Sequence, residues 1–221
     1  MRVSKYIHAC LVVEEGGDRL LFDPGVFSFI EKRVHPADFE GISAVVITHG
    51  HPDHLDLEAL KRIVAGNRPM IVAGREVAAK LREAGIEGEI LHLEEGHLRV
   101  GSFDLEAIPA AHEPILSPTL PQNTAYVVNG RFLHPGDSYA ASLHARRGIA
   151  LLALPITAPW TTELGTAAFG SKMAPKHVLP IHDGYGKEFF LKSRHEALGK
   201  HFREQGIEYT PADEPGTAVE I

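Results

Sequence analysis

The stretch VVITHGHPDH, residues 45–54, sets His49, His51, Asp53 and His54 directly behind an apolar run. In extended chain His49 and His51 point the same way, because side chains alternate with period two. Gly50 between them lets the backbone turn tightly, and Pro52 fixes φ near a turn value. Asp53 and His54 then leave in other directions. One short loop thereby offers two imidazoles to one ion, and a carboxylate with an imidazole to a second. Zinc, iron and manganese all accept such donors.

One loop supplies too few ligands for two ions, so the remainder must come from elsewhere. Three later points place a His or Asp just past an apolar strand: His112 in EAIPAAHEP, Asp137 in RFLHPGDSY and His182 in HVLPIHDGY. Strand ends on one edge of a sheet sandwich converge, so seven side chains can meet in one cleft. That count suits two ions sharing a bridging carboxylate.

The elements that must position these residues are legible from periodicity. HACLVVEEGGDRLLFDPG reads as two short strands joined at Gly16-Gly17 and closed by a DPG turn. AVVITHG is a β-branched strand stopping at Gly50, and LDLEALKRIVAG carries Leu57, Leu60, Ile63 and Val64 at helical spacing. MIVAG is a buried strand, and REVAAKLREAG a helix ending at Gly85. GHLRVGSFDLEAIPA alternates about Gly101-Ser102, and TAYVVNGRFLHPGD is a hairpin with Asn129-Gly130 at its tip. IALLALPI and KHVLPIH are apolar strands, with TELGTAAFGSKM and EFFLKSRHEALGKHFREQG helical. Apolar strands with helices between them imply sheets covered on their outer faces, as in two sheets sandwiched between helices.

At 221 residues with 44% hydrophobic content, the chain suits one large domain over residues 1–221. No repeat or low-complexity tract divides it. The formal charge of -7, with acid and base interspersed, argues against a nucleic-acid partner. A small-molecule substrate, an anionic one included, remains compatible. Cys10 is the one cysteine, so no internal disulfide can form, which fits a reducing compartment. Its apolar surroundings favour a small buried hydrophobe over a reactive thiol. The N-terminus lacks an apolar h-region, and no stretch approaches a membrane span. A cytoplasmic protein with no membrane partner is the expectation, with a homo-oligomer left open.

His-x-His-x-Asp-His, followed by a His, an Asp in a Gly-Asp-Ser turn and a final His, resembles the metallo-β-lactamase-fold superfamily. The likeness covers nearly the whole chain. DPG at 23–25 resembles the family's early turn. NTAYVVNGRFLHPGDS and LALPITAPWTTELGTAAFGSKMAPKHVLPIH look most like its small single-domain branch of L-ascorbate-6-phosphate lactonase-like metal-dependent hydrolases.

The resemblance implies an α/β (α+β) fold, a four-layer αββα sandwich with a dinuclear site at one edge. Matched by position, His49, His51 and His112 hold the first metal, Asp53, His54 and His182 the second, and Asp137 bridges. Two divalent ions are implied, zinc foremost, with manganese or iron also compatible. Together they lower the pKa of one water towards about 7. The bridging hydroxide would attack a small polar ester, lactone or phosphoester while a metal takes the oxyanion charge. Asp53 and His182 are the implied catalytic residues, Asp53 orienting the nucleophile or accepting its proton. The fold also hosts di-iron redox proteins, and a non-catalytic metal or ligand sensor would keep the same ions, so the fold alone does not choose the activity.

Fourteen histidines occur, and this pattern uses five. His8, in IHAC, either lines the site, as the branch's early His does, or is an ordinary strand residue. Asp23 either accepts a ligand histidine's free N–H or makes a turn before Pro24. His134 suits core or edge packing better than the cleft. Residues 113–123, with three prolines, form either a stiffened cleft border or a plain connection. Trp160 is a rim or core aromatic. Lys176 and Lys187 are better read as solvated lysines than as anion contacts.

Overall fold

Arg2–Lys5 (β1), Leu11–Glu15 (β2) and Asp18–Phe22 (β3) pair antiparallel, Leu11 opposite Phe22 and Lys5 opposite Leu11. HACLVV predicts a strand beginning at His8, but β2 begins at Leu11. His8 itself takes φ 63°, in the left-handed region, and breaks the extended chain. In the computed structural model, which describes residues 1–221, the sheet continues parallel through Ala44–Ile47 (β4), Met70–Ala73 (β5) and Ile90–His92 (β6). Thr217–Glu220 (β14) closes its other edge against β1, Arg2 opposite Glu220.

The second sheet mirrors the first. Gly96–Val100 (β7), Phe103–Pro109 (β8), Thr124–Val128 (β9) and Phe132–His134 (β10) run antiparallel. Leu151–Pro155 (β11), His177–Ile181 (β12) and Glu208–Tyr209 (β13) follow in parallel. Each sheet therefore has seven strands, in the orders β14-β1-β2-β3-β4-β5-β6 and β13-β12-β11-β10-β9-β8-β7. At the β9–β10 turn Asn129 and Gly130 both take positive φ, 49° and 63°, the requirement of a tight hairpin matched to strand twist.

Parallel neighbours need crossovers, and helices supply them. Leu57–Asn67 (α2) and Arg75–Glu83 (α3) flank β5; Glu163–Met173 (α4) links β11 to β12, and Glu188–Arg203 (α5) links β12 to β13. A single turn, Phe27–Ile30 (α1), follows β3. Asp56 caps α2 by accepting from the Glu58 and Ala59 amides at 3.0 Å, worth about 1 kcal/mol.

The period-two alternation of the strands divides the core. Ala44 and Val46 of β4 face the core between the sheets with Phe22, Phe103, Tyr126 and Phe132. Val45 and Ile47 face outward under Leu60, Ile63, Val77 and Leu81 of α2 and α3. A third cluster joins Leu152 and Leu154 to Phe169 and Phe202 of α4 and α5. All four β4 residues are buried because both faces are covered. The layers are thus helix, sheet, sheet, helix. No helix is long and apolar enough to cross a membrane.

Candidate metal centre

Every residue singled out as a ligand lies just beyond a strand, and both sheets contribute. The turn after β4 carries His49, His51, Asp53 and His54; His112, Asp137 and His182 follow β8, β10 and β12. Backbone hydrogen bonds pin these ends together: Thr124 N–H donates to Thr48 O at 3.0 Å, Glu113 N–H to Asp137 O at 2.9 Å, and His182 N–H to His8 O at 3.1 Å. His8, Asp23 and His182 all take positive φ, 63°, 43° and 65°. Each such non-glycine costs about 1–3 kcal/mol, which the surrounding hydrogen bonds must hold in place. Gly25 is required for a different reason. A Cβ there would lie 1.7 Å from Asp53 O, inside the ligand turn.

The seven side chains meet in two groups. His49, His51, His112 and Asp137 bring one donor atom each within 4.8 Å of one another, as do Asp53, His54 and His182 together with His8. Asp137 lies between the groups. Its Oδ1 is 3.1 Å from His54 Nε2 and 3.0 Å from His182 Nε2, and its Oδ2 is 3.5 Å from His112 Nε2.

Hydrogen bonds fix which nitrogen of each ring faces inward. Nδ1–H of His54 donates to Asp23 Oδ2 at 2.7 Å, that of His182 to Thr157 O at 2.5 Å, and that of His112 to Glu113 O at 2.6 Å. Thr48 Oγ1–H donates to Asp23 Oδ2 at 2.6 Å, so Thr48 Oγ1 accepts from His49 Nδ1–H at 3.1 Å. His54, His112 and His182 therefore turn a bare Nε2 lone pair to the centre, and that of His49 lies 3.2 Å from His51 Nδ1. His8 differs. Gly184 N–H donates to its Nδ1 at 3.0 Å, so its Nε2 carries the proton and donates to Asp53 Oδ2 at 3.1 Å. His8 lies within ligand range but acts as the support of Asp53.

The inward atoms test whether cations fit. His54 Nε2, His112 Nε2, His182 Nε2 and Asp137 Oδ1 are buried without a hydrogen-bond partner. Each such buried group costs about 1–3 kcal/mol, and here lone pairs also face a carboxylate oxygen. Cations at these points satisfy all four at once, and the Nδ1 bonds are the outer support that ligating histidines require. The electrostatics agree. Burial opposes the charge on Asp137, but His182 and His54 hold its pKa well below the carboxylate range. Burial likewise opposes a charged His54, yet Asp137 and Asp23 hold its pKa well above the usual imidazole value, marking a place that demands positive charge. Burial, reinforced by His54, keeps His49 neutral.

Asp23 and His8, each with two readings in the sequence, hydrogen-bond His54 and Asp53 of the second group. His134 packs rather than reacts: its ring stacks on Phe22, its Nδ1 accepts from Gly136 N–H, and its Nε2–H donates to Ala9 O. Ser117, Thr119, Leu120 and Pro121 border a cleft of about 420 Å³ with Gly50, His51 and Glu76. Lys176 is exposed before β12, at the strand end opposite His182, and Lys187 lines a separate cavity. Trp160 reaches the site, its Nε1–H donating to Asp137 Oδ2 at 3.1 Å. Sequence reasoning missed Tyr185, whose hydroxyl donates to Asp53 Oδ2 at 2.9 Å. The HDGY run placed it three residues past His182, but an alternating strand gave no sign that the loop folds back.

An αββα sandwich whose strand ends gather a His-x-His-x-Asp-His turn, two further histidines and a shared aspartate defines the metallo-β-lactamase class of protein. The chain belongs to that superfamily: the family described as Beta-lactamase superfamily domain matches residues 2–182, from β1 to the final histidine. Protein Rv0786c of Mycobacterium tuberculosis is 32% identical over 193 residues, covering 82% of this chain and 84% of that one. The UPF0173 metal-dependent hydrolase MJ1163 of Methanocaldococcus jannaschii is 29% identical over 191 residues, covering 81% and 83%. Among solved structures, Igni18, a metallo hydrolase from Ignicoccus hospitalis, shares the fold at a TM-score of 0.73 and 19% identity, covering 99% and 97%.

Proposed function

We propose that the chain is a metal-dependent hydrolase holding two divalent ions and acting on a small polar ester, lactone or phosphoester. The observation that carries this reading is the set of buried, unpartnered Nε2 atoms of His54, His112 and His182 around the Asp137 carboxylate. The name of the archaeal relative supports it. His49, His51 and His112 would hold one ion, Asp53, His54 and His182 the other, and Asp137 both. Zinc fits this set first, and manganese and iron suit the same nitrogen and oxygen donors.

Cations held there supply Lewis acidity towards a carbonyl or phosphoryl oxygen and lower the pKa of a water from about 15.7 towards about 7. The remaining work belongs to the chain. Asp23, through His54 and Thr48, orients rings in both groups. Asp53, whose Oδ2 accepts from His8 and Tyr185 and faces His182 Nε2 at 3.5 Å, would hold its ion and orient a water beside it. His182, fixed by Thr157 O, completes the second group. The cleft between His51 and residues 117–121 admits a small substrate.

The test is elemental analysis of the purified protein beside Asp137→Ala, with bis(p-nitrophenyl) phosphate and a lactone panel assayed in parallel. About two metals per chain and turnover, both lost in the variant, are expected. Bound metal without turnover on any substrate after zinc or manganese is added overturns the hydrolase reading in favour of a binding protein.

A further inference from the structure

Asp53 Oδ2 has two hydrogen-bond donors where one would hold it. His8 is fully buried, fixed by Gly184 N–H and packed against Phe27 with ring centroids 5.0 Å apart. Tyr185 is 51% exposed, its ring 5.4 Å from His8 and 5.5 Å from His182. The buried donor keeps the carboxylate in place, so the exposed phenol is free to leave it.

Few other side chains near the ligands can offer a proton to a bound molecule. Trp160 Nε1–H is engaged by Asp137 and Tyr139 Oη–H by Pro155 O at 2.6 Å, while Lys80, tied to Gly50 O at 2.5 Å, is a charged donor beside the first group and not a neutral one. The inward face otherwise consists of lone pairs and carboxylates. Such a site can bind and polarise an oxygen, but it needs a neutral donor for one that gains negative charge as a bond breaks. All the ligand residues but half-buried His51 are buried, so a bound molecule reaches them from the solvent side, and the half-exposed Tyr185 stands on that side of the second group.

We propose that Tyr185 is a catalytic residue that transfers its hydrogen bond from Asp53 to the leaving oxygen of the substrate. This inference rests on the hydrolase reading. As the oxygen of water bonds to the acyl carbon or phosphorus, the electron pair of the breaking bond passes to the leaving oxygen. The Tyr185 O–H stabilises that charge, and the proton released by the water completes the alcohol or phenol product. Asp53 meanwhile keeps the His8 Nε2–H bond.

Tyr185→Phe removes the hydroxyl alone, at an exposed position where folding is not at stake. Metal content, kcat and KM on matched p-nitrophenyl and phenyl substrates, and the Kd for inorganic phosphate are to be measured in the metal-loaded wild type and variant. Metal content should be unchanged, kcat about 10- to 100-fold lower with KM within about threefold, and the loss greater for the phenyl substrate, whose poorer leaving group needs the donor more. Phosphate should bind about 5- to 10-fold more weakly. A kcat within about twofold of wild type, an equal loss on both substrates, or a loss that tracks missing metal would overturn the proposal. If the wild type hydrolyses nothing, the hydrolase reading fails by itself and the phosphate Kd decides: equal affinity in the variant removes Tyr185 from the site.

Discussion

Asp23 and His54 are joined by a 2.7 Å hydrogen bond between two fully buried side chains, and the same carboxylate oxygen takes the Thr48 hydroxyl that steadies His49. One residue outside the ligand set thus fixes a ring in each metal group. Loss of such support costs about 10- to 100-fold in metal affinity. Asp23→Ala should bind more weakly by that factor yet fill at saturating zinc, whereas Asp137→Ala should lose ions from both groups. Chelator competition on the two variants separates them, and equal losses would sink the bridging assignment.

Gly25→Ala should be far more damaging than a methyl group suggests. Its Cβ would lie 1.7 Å from Asp53 O and 2.5 Å from His54 N, both backbone atoms that cannot swing away. The expected cost is about 3 kcal/mol or more, with metal lost alongside. Thermal unfolding and metal content of the variant check this; a stable, fully loaded protein would show that the ligand turn can shift.

Acid should empty the site. Burial lowers the pKa of His49 and His51, helped by His54 and His112 respectively, so these rings stay neutral at physiological pH and keep their lone pairs. Bound metal and turnover should therefore persist through the ordinary imidazole pKa of about 6.5 and fall only at lower pH, where protons reach the depressed values. Loss of metal already at about pH 7 would count against the burial of these rings.

The metal-free chain carries its own acid limb. Burial, then His182, lowers the pKa of His8 to about 3, against about 6.5 in an unfolded chain. Between those values the unfolded state binds more protons, so stability falls as pH drops through the window. The melting temperature of chelator-treated protein should decline progressively from about pH 6.5 towards 3, and a midpoint constant across that range would contradict the burial of His8.

Cys10 should be silent to thiol reagents. It is fully buried, and burial pushes its thiol up to about 12 despite the Ser28 hydroxyl nearby. Ellman's reagent should count no thiol in the native protein and one in guanidinium; a fast native reaction would mean that this face opens.

What was legible in the sequence is what local chemistry carries. Val45 and Val46 alternate into two cores while the chain runs straight into His49, so strand and ligand turn read together. The ends of β8, β10 and β12 repeat the same grammar of an apolar run and then a donor. What stayed hidden depends on partners distant in sequence. β1 and β14 are four-residue strands that pair ends of the chain, Arg2 with Glu220, and neither carries a pattern of its own. Tyr185 and Trp160 reach Asp53 and Asp137 through loops whose course no periodicity describes. The two readings of His8 parted only when its positive φ turned the ring towards Asp53.

The first sheet supplies His49, His51, Asp53 and His54, the second His112, Asp137 and His182. Ions held by this set act as rivets through the seam of the sandwich, so ion affinity and resistance to unfolding become one quantity read on two scales. Free metal at a hundred times its Kd adds about 2.7 kcal/mol to a folded state that alone can bind it. A chain deprived of metal would then have its two halves joined less firmly as well as its proposed chemistry silenced.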